Sequence, residues 1–550
     1  IGLCLFMLLG AGSACRQPEP LPNAMILAPP PSTAHYTVTI KPRWATLKAS
    51  FRHPPLDPMP LVLTATQHAD RIYDLQAQTD SGEPLIVTST DTQGRWLVSG
   101  HQNRTINITY LVIDQRPSMT PSTPLAPLTT SQMFYGQGAA LFLQPELPAD
   151  IPRPESIQVR VMTTSSWNTW TSWGRDANTL QHLQELDRSL IIAGNWKVHT
   201  SNETNPLFQL ATPHDWDVEP AKLSPLLTSV AQSHRLVFGS YPWNALLVVV
   251  APTQGEPHSV TSRESITLLT PHTTKPDDPG LAQSLAHAHF ALWTQQLPTP
   301  NGSDDSYVQG FIEGVNTWYA LRTLILLNQL DQQAFMDQIN GWFVAYYDLL
   351  LAEEEPSPEE LSRMRALKSS VTAMSLDIEL RAENLGTRSL DDLMRKLYLD
   401  FAHTSRPYTN TDIQERLTLI SKGDWKGRLA LVADPDHLLD AQSLDRAGIQ
   451  VTIDIRQRYA LGFQTADNSF DNASVTMVDE GSQAEEAGLK VGDIIQAIAH
   501  KPGDIDTAVH LVVRRDDVSK PLNLTFKPVR EVEVPRITAL GPLLWDWLGP

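Results

Sequence analysis

The order of secondary-structure patterns along the chain constrains its fold more than any other feature. Residues 34–150 show short alternating runs broken by Pro, Gly and Asn, with Thr105–Ile113 among the clearest, and this pattern is typical of strands. Residues 151–256 mix strands with short helices, residues 280–430 have helical periodicity, and residues 445–530 return to strands. We therefore expect several domains, and the length of 550 residues predicts three or four.

Composition limits the classes of partner. The net charge of -19 at pH 7 argues against nucleic acid as a partner, because phosphate is repelled by a negative protein. The two cysteines, Cys4 and Cys15, both lie in the N-terminal segment. We therefore expect no internal disulfide in the mature protein, and hydrophobic cores must stabilise it. After the N-terminus, no segment approaches the roughly 18 apolar residues of a spanning helix.

The N-terminal segment predicts export. Residues 1–15 are apolar and rich in small residues, which predicts a signal peptide with a lipobox, and residues 16–33 form a proline-rich tether. Cys15 has two interpretations. It is the lipidated cysteine of a bacterial lipoprotein, which the small residues before it and the tether favour, or the signal is cleaved after Ala14 in ordinary secretion. We expect a protein of the bacterial cell envelope, periplasmic and anchored to the membrane through Cys15.

Residues 287–293, His-Ala-His-Phe-Ala-Leu-Trp, resemble the zinc helix of a peptidase without its chemistry. A working H-E-x-x-H helix places two His ligands on one face, and its Glu activates the attacking water. His287 stands at the first His position, but Ala288 replaces the Glu and Ala291 replaces the second His. Glu313 stands where a downstream third ligand is expected.

Six segments share their order and spacing with a known family. They are Phe134–Leu143, Phe238–Pro242, the helix that contains Trp293, Phe311–Tyr319, Leu376–Arg381 and Ser389–Arg395. In this order they resemble the glycyl-aminopeptidase-type metallopeptidases, a bacterial family with a thermolysin-like catalytic domain and a PDZ domain. The resemblance implies a multidomain fold. Its parts would be an N-terminal all-β sandwich at 34–150, an α+β thermolysin-like domain with a mostly helical second half at 151–435, and a C-terminal PDZ domain at 445–530.

The departures from this family lie at functional positions. Besides Ala288 and Ala291, the resemblance places Ala366 where the family has a candidate transition-state Tyr. It also places His258–Ser262 where the family has a candidate substrate-binding strand, G-G-L-E-H. Four losses in a chain that keeps the scaffold segments predict that catalysis and the zinc cofactor are gone.

An alternative keeps the enzyme active. Catalytic zinc needs three protein ligands, and His287 and Glu313 supply two. His289 lies about 200° around the helix from His287, so these two cannot face one ion. An active zinc aminopeptidase would need a substitute ligand and a substitute base from the segment before the helix. The candidates are His258 and His272 as ligands, and Glu256 and Glu264 as bases.

The most complete motif lies near the C-terminus. Tyr459–Phe463 resembles the carboxylate-binding loop of PDZ domains, and Ser482–Ile495 follows the pattern S-x-A-x-x-A-G-L-x-x-G-D-x-I. In this loop, the backbone N–H groups of Leu461, Gly462 and Phe463 are expected to bind a peptide C-terminal carboxylate. The peptide would add a strand to the edge of the sheet.

Asp506–Val513 is expected to form the helix that walls this groove. With the groove and the relict cleft beside His287 and Glu313, we expect a metallopeptidase-like envelope protein that binds peptides or protein C-termini and performs no catalysis. No cofactor is expected, and zinc returns only if the active alternative holds. A third interpretation is a structural envelope lipoprotein whose PDZ domain packs within its own chain.

Overall fold

The computed structural model describes most of the chain after the N-terminal segment. The described residues are 33–52, 61–67, 69–100, 105–113, 127–146, 156–174, 179–180, 183–201, 207–216, 218–253, 257–271, 273–298, 306–350, 356–423, 425, 448–466, 470 and 472–548. The predicted signal segment, Cys15 and residues 16–32 of the tether lie outside them.

Strands dominate both ends of the described chain, and helices dominate between them. The strands are β1 (Thr33–Lys41), β2 (Trp44–Arg52), β3 (Leu61–Ala65), β4 (Ile72–Thr79), β5 (Pro84–Ser89), β6 (Arg95–Ser99), β7 (Thr105–Ile113), β8 (Leu128–Thr129), β9 (Met133–Gln137), β10 (Leu143–Glu146), β11 (Ser156–Met162), β12 (Asn168–Thr171), β13 (Thr179–Leu180), β14 (Leu190–Gly194), β15 (Trp196–Thr200), β16 (Leu207–Pro213), β17 (Ala245–Thr253), β18 (His258–Ser262), β19 (Ser265–Pro271), β20 (Ile449–Tyr459), β21 (Phe463–Thr465), β22 (Val475–Val478), β23 (Ile494–Ala499), β24 (Val509–Arg514), β25 (Leu522–Phe526) and β26 (Val529–Leu540). The helices are α1 (Leu183–Asp187), α2 (Pro220–Phe238), α3 (Pro279–Thr294), α4 (Ser306–Leu326), α5 (Gln332–Leu350), α6 (Pro358–Glu383), α7 (Leu390–Phe401), α8 (Asn410–Ile420), α9 (Gln483–Glu486) and α10 (Pro542–Leu548).

A large curled sheet forms the N-terminal part. Among the described strands its order is β10-β3-β6-β5-β4-β7-β2-β1-β11-β13. Alternate residues of β7 are buried in its core, as the period of two requires. The predicted all-β character is present, but the predicted two-sheet sandwich is not, because β4 pairs with β5 and β5 with β6 and so joins both halves. The sheet also continues past residue 150, since β11 pairs in parallel with β1.

Two smaller sheets pack on each other in the middle of the chain. A four-stranded sheet, β12-β14-β9-β8, faces a five-stranded sheet, β15-β16-β17-β19-β18, and Tyr135, Ile192 and Val249 lie in the core between them. β16, β17 and β19 run parallel, and β17 is an apolar run buried along nearly its whole length, as a central parallel strand is. β18 is the antiparallel edge strand, and α2 and α3 cover the second face of the sheet.

The helical half follows the predicted elements closely. α6 lies within the region predicted to be helical, and a capping box at Ser357 fixes its first turn. α7 follows the predicted cap at Ser389, whose side chain accepts from the backbone N–H of Asp391 at 3.2 Å. α4 packs between α3 and α6. No described helix has the length and apolar character needed to cross a membrane.

A two-stranded ribbon of β20 and β26 carries the C-terminal unit. The two strands pair antiparallel along their length, and the ribbon packs on α5. The Asn340 side chain on α5 donates to the carbonyl of Ile537 at 3.0 Å and accepts from its N–H at 2.8 Å. The unit held by the ribbon has its own core, which includes Phe463, Leu489 and Leu511.

The predicted groove helix is wrong. Residues 509–514 form β24, the middle strand of the sheet β23-β24-β25. Val509, Leu511 and Val513 are buried while His510 and Arg514 are exposed, which is the period of two of a strand. The β-branched valines add to this preference, because they fit a half-buried pleated surface.

A buried ion pair connects α4 to α7. The Arg322 guanidinium donates to both oxygens of Asp391 at 2.5 and 3.1 Å, and the Tyr319 hydroxyl donates to the same carboxylate at 2.5 Å. Burial alone would raise the pKa of Asp391, but Arg322 outweighs it and holds that pKa at about 2. The carboxylate therefore stays ionised at neutral pH and keeps its pairing with Arg322.

Asp377 extends this cluster into α6. Its side chain is fully buried and accepts from the indole Nε1 of Trp318 at 3.0 Å and from the N–H of Leu390 at 2.9 Å. Arg381, one turn later on α6, donates to the same carboxylate at 3.1 Å. A charged group at this depth is tolerated only because each lone pair finds a donor.

Arg322→Met is expected to lower the free energy of unfolding by about 3–5 kcal/mol, because it leaves buried carboxylates without their cation. Urea denaturation followed by circular dichroism measures this loss. The control is Arg388→Met, which removes a guanidinium that is 56% exposed and paired with Asp392, and should cost less than about 1 kcal/mol. Equal losses in the two variants would contradict the role given to the cluster.

Candidate functional site

α3 carries the relict zinc motif. The helix begins after Asp278, whose side chain accepts from the N–H groups of Gly280 and Leu281 at 2.8 and 3.3 Å, and Pro279 takes its first position. The helix then runs through the predicted motif without interruption to Thr294. His287 lies at its partly exposed side, with 25% of the side chain accessible.

His287 and Glu313, the two predicted ligand positions, bond to each other between α3 and α4. His287 Nε2 lies 3.0 Å from Glu313 Oε1 on α4. Burial raises the pKa of Glu313, but the hydrogen bonds from His287 and Asn316 outweigh it, so the net shift is downward. Asn316 in turn accepts from the Thr294 hydroxyl at 2.9 Å and so ties α4 to the end of α3. The two residues that the sequence predicts beside one cleft are therefore direct partners.

The lost positions lie where β18 approaches the helix. Ala288 is fully buried and Ala291 is 5% exposed. The Thr261 hydroxyl on β18 donates to the carbonyl of Ala288 at 2.9 Å, and Gln295 Nε2 donates to the carbonyl of Thr261 at 3.1 Å. The edge strand is therefore fastened to the helix at the place where a working site would hold its general base.

The side chains present do not fit a catalytic zinc ion. The relict cleft offers one imidazole and one carboxylate, whereas such a site needs three protein ligands. No group of three or more His, Cys, Asp or Glu side chains able to hold a metal occurs in the described part of the chain. Of the alternative ligands and bases, His258 lies on β18 and Glu264 in the β18–β19 turn. His272 and Glu256 lie outside the described residues.

His289 faces the core instead. Its Nδ1 lies 2.9 Å from Nδ1 of His234 on α2, and His234 Nε2 lies 2.9 Å from the Thr323 hydroxyl on α4. Both rings are essentially inaccessible to solvent, and aromatic rings such as Trp293 pack around them. This pair joins three helices and was not predicted, because nothing local in the sequence connects residues that are 55 positions apart. The burial pattern of α2 was the available signal, since His234 falls on its apolar side.

The His234–His289 pair should make the fold sensitive to acid. Burial lowers the pKa of both rings below 6.5, for His289 to about 3, so the folded protein keeps them neutral. Stability is then complete above pH 6.5 and is lost as pH falls towards 3, by about 1.4 kcal/mol per pH unit for each ring.

The test compares urea denaturation midpoints at pH 7.0 and about pH 5.5. The double variant His234→Leu with His289→Leu should lose less stability over this interval than the native protein, because it has no buried ring to protonate. His214→Leu, at an exposed position, is the control and should keep the native pH dependence. An unchanged slope in the double variant would contradict the assignment.

α4 and α6 cross closely beside the relict cleft. A Cβ at Gly314 would lie 2.1 Å from the carbonyl carbon of Ser369, so only glycine fits there. Ala366, at the position of the family's Tyr, lies half-buried one turn earlier on α6, and its carbonyl accepts from the Ser370 hydroxyl at 2.8 Å. The scaffold contact is present, and the side chain at Ala366 carries no polar group.

The predicted PDZ loop forms a tight turn. Gly462 has a φ of +73°, and a Cβ there would meet the Cβ of Ser482 at 2.7 Å. Its carbonyl accepts from the N–H of Asp479 at 2.9 Å. Leu461 and Phe463 on either side are buried, at 5% and 7% exposure, in the core of the unit.

An acidic cleft of about 580 Å³ lies beside this loop. It is lined by more acidic than basic groups. The acidic groups are Asp479, Glu480, Glu486, Asp506 and Glu531, and the basic groups are Lys527 and Arg530. The cleft therefore favours ligands with positive charge.

Comparisons with known proteins identify the fold of this chain. No protein-family model matches the chain, and no curated protein matches it. An aminopeptidase N family protein from Idiomarina loihiensis has a similar structure, with a TM-score of 0.69 and 16% identity over 94% of this chain and 100% of that one. The M1 zinc metallopeptidase from Deinococcus radiodurans has a TM-score of 0.47 and 14% identity, over 74% of this chain and 94% of that one. The first likeness shows that this chain has the multidomain fold of the aminopeptidase N type, and at such identity it shows the fold alone.

Proposed function

We propose that this protein binds peptides without hydrolysing them, as a metallopeptidase-like protein of the bacterial cell envelope. The peptide would lie in the relict cleft beside His287 and Glu313. The loop Leu461–Phe463 of the C-terminal unit would supply a second binding element. The apolar N-terminus and Cys15 in the sequence support export and a lipid anchor.

The donor set on α3 and α4 is the observation that carries this proposal. Hydrolysis at a site of this kind needs three metal ligands and a base, whereas buried Ala288 replaces the base. Loss of a general base alone reduces the rate by about 100- to 10,000-fold. An edge strand that could position a peptide remains, since β18 pairs only with β19 among the described strands, although the carbonyl of Thr261 on β18 already accepts from Gln295. A strand that could position a peptide is present and a general base at position 288 is absent. This combination favours binding over catalysis.

Restoring the lost side chains should restore a metal site. Zinc-loaded native protein is expected to hold far less than one equivalent, and the variant Ala288→Glu with Ala291→His about one, because the new His lies about 40° from His287 on the helix. Elemental analysis after desalting measures the content. The control is Ala288→Glu alone, which adds no second His and should hold far less than one equivalent.

The alternative function is that of an active enzyme with a rearranged metal site. One equivalent of zinc in the native protein, together with peptidase activity that Glu313→Ala abolishes, would overturn the proposal. His258 and Glu264 would then be the first residues to substitute.

Peptide capture by the C-terminal unit would use β21. This strand pairs only with β22 among the described strands, so its other edge is open to an added strand, although the predicted groove helix is replaced by β24. The acidic cleft beside Gly462 favours peptides with Lys or Arg upstream of their C-terminus.

Gly462→Ala is expected to lower the affinity for such peptides at least about tenfold, because the new Cβ has no space and the loop must move. Fluorescence anisotropy with peptides selected from a C-terminal library measures the loss. Gly481→Ala is the matched control, because Gly481 has a similar φ of +72° but no atom within 4 Å of where the new Cβ would lie. Equal effects of the two substitutions would remove the loop from the binding surface. Failure to select any peptide would favour a purely structural envelope protein.

A further inference from the structure

A second cleft, of about 350 Å³, opens beside the C-terminal half of α3. We name it the Trp243 cleft. Its walls come from α1 and the residue after it, from the segment before β17, from the β18–β19 turn and from α3. The residues that matter for its chemistry are Glu185, Arg188, Trp243, Arg263, Glu264 and Leu292.

The Trp243 cleft lies on a different side of α3 from the relict cleft. Leu292 lines it, and at about 100° per residue it lies about 140° around the helix from His287, while Gln296 lines it just beyond the end of α3. The β18–β19 turn also lines it, through Arg263 and Glu264. A ligand in this cleft therefore does not depend on the side chains of the relict cleft.

The cleft holds one unpaired charge of each sign. Arg263 forms an ion pair with Glu185. Among the described residues, the Glu264 carboxylate and the Arg188 guanidinium make no hydrogen bond or ion pair, but each acts electrostatically on an oppositely charged sequence neighbour, Glu264 on Arg263 and Arg188 on Asp187. Glu264 also sits at a φ of +50°, an uncommon conformation for a residue other than glycine, which holds it in the turn. Glu264 and Arg188 thus present a carboxylate and a guanidinium to whatever enters.

Trp243 and Leu292 form a further wall of the cleft, which is apolar except for the indole nitrogen of Trp243. Trp243 and Leu292 are each 5% exposed. The indole Nε1 of Trp243 is buried and has no hydrogen-bond partner in the described part of the chain. Buried donors without a partner are rare, and an oxygen of a ligand or a water normally completes them.

We infer that the Trp243 cleft binds a small zwitterion with an apolar side chain, a free amino acid or a dipeptide. The ligand ammonium would pair with Glu264 and its carboxylate with Arg188, while its side chain packs on Trp243 and Leu292. The cleft volume of about 350 Å³ lies at the small end of ligand cavities, roughly 300–1,000 Å³, which suits a ligand of this size. The two unpaired charges of opposite sign distinguish a zwitterion from a simple anion or cation.

Calorimetric titration of the purified protein tests the inference with four compounds. L-leucine and L-leucyl-L-leucine carry both charges, N-acetyl-leucine lacks the ammonium and leucinamide lacks the carboxylate. We expect one of the first two to bind at least about tenfold tighter than its capped relatives, because each cap removes one charge-assisted hydrogen bond. The comparison of leucine with the dipeptide decides which of the two is the ligand. Absence of binding, or equal binding of the capped compounds, would overturn the inference.

Two variants assign the charges. Glu264→Gln should abolish the preference over N-acetyl-leucine, and Arg188→Gln the preference over leucinamide, each with an unchanged thermal unfolding midpoint. Asp215→Asn, at an exposed position outside the cleft, is the control and should bind as the native protein does. Binding that neither cleft variant alters would place the ligand elsewhere and contradict the inference. Restoration of zinc ligands on α3 should leave this binding unchanged, which separates it from the proposed function.

Discussion

The buried pairing of Arg322 with Asp391 is the constraint on which the helical half depends. Three helices meet at this cluster, because Asp377 on α6 accepts from the first residue of α7 while Arg322 reaches across from α4. A buried charge is costly without its partner, so the helices must hold one arrangement to keep these ion pairs together. α4 also carries Glu313. The position of the relict cleft is therefore set by electrostatics some turns away from it.

The same scaffold accommodates alanine at the two positions where the resembled family has its base and a ligand. Ala288 and Ala291 are small and buried, and β18 packs onto the helix at this point through Thr261. The crossing of α4 and α6 at Gly314, in contrast, leaves no room for change.

Local signals were readable from the sequence, and long-range pairing was not. The bounds of α6, the cap at Ser389 and the placement of His287 opposite Glu313 follow from helical period, capping chemistry and spacing. The pairing of His234 with His289 spans three helices, and no pattern in either segment announces it. β24 lies where the PDZ resemblance predicts a groove helix, although the alternation of apolar and polar residues that is typical of a strand is visible in the sequence. The joining of the N-terminal strands into one sheet depends on hairpin pairing that periodicity does not specify.

The ribbon of β20 and β26 has a consequence for how this architecture can vary. The chain enters and leaves the C-terminal unit through two paired neighbours, Tyr459 and Val529, while the ribbon itself belongs to the core of the helical half. Domains whose ends lie side by side tolerate insertion and exchange. The C-terminal unit can therefore be replaced by a short hairpin turn between β20 and β26, and the helical half keeps its core.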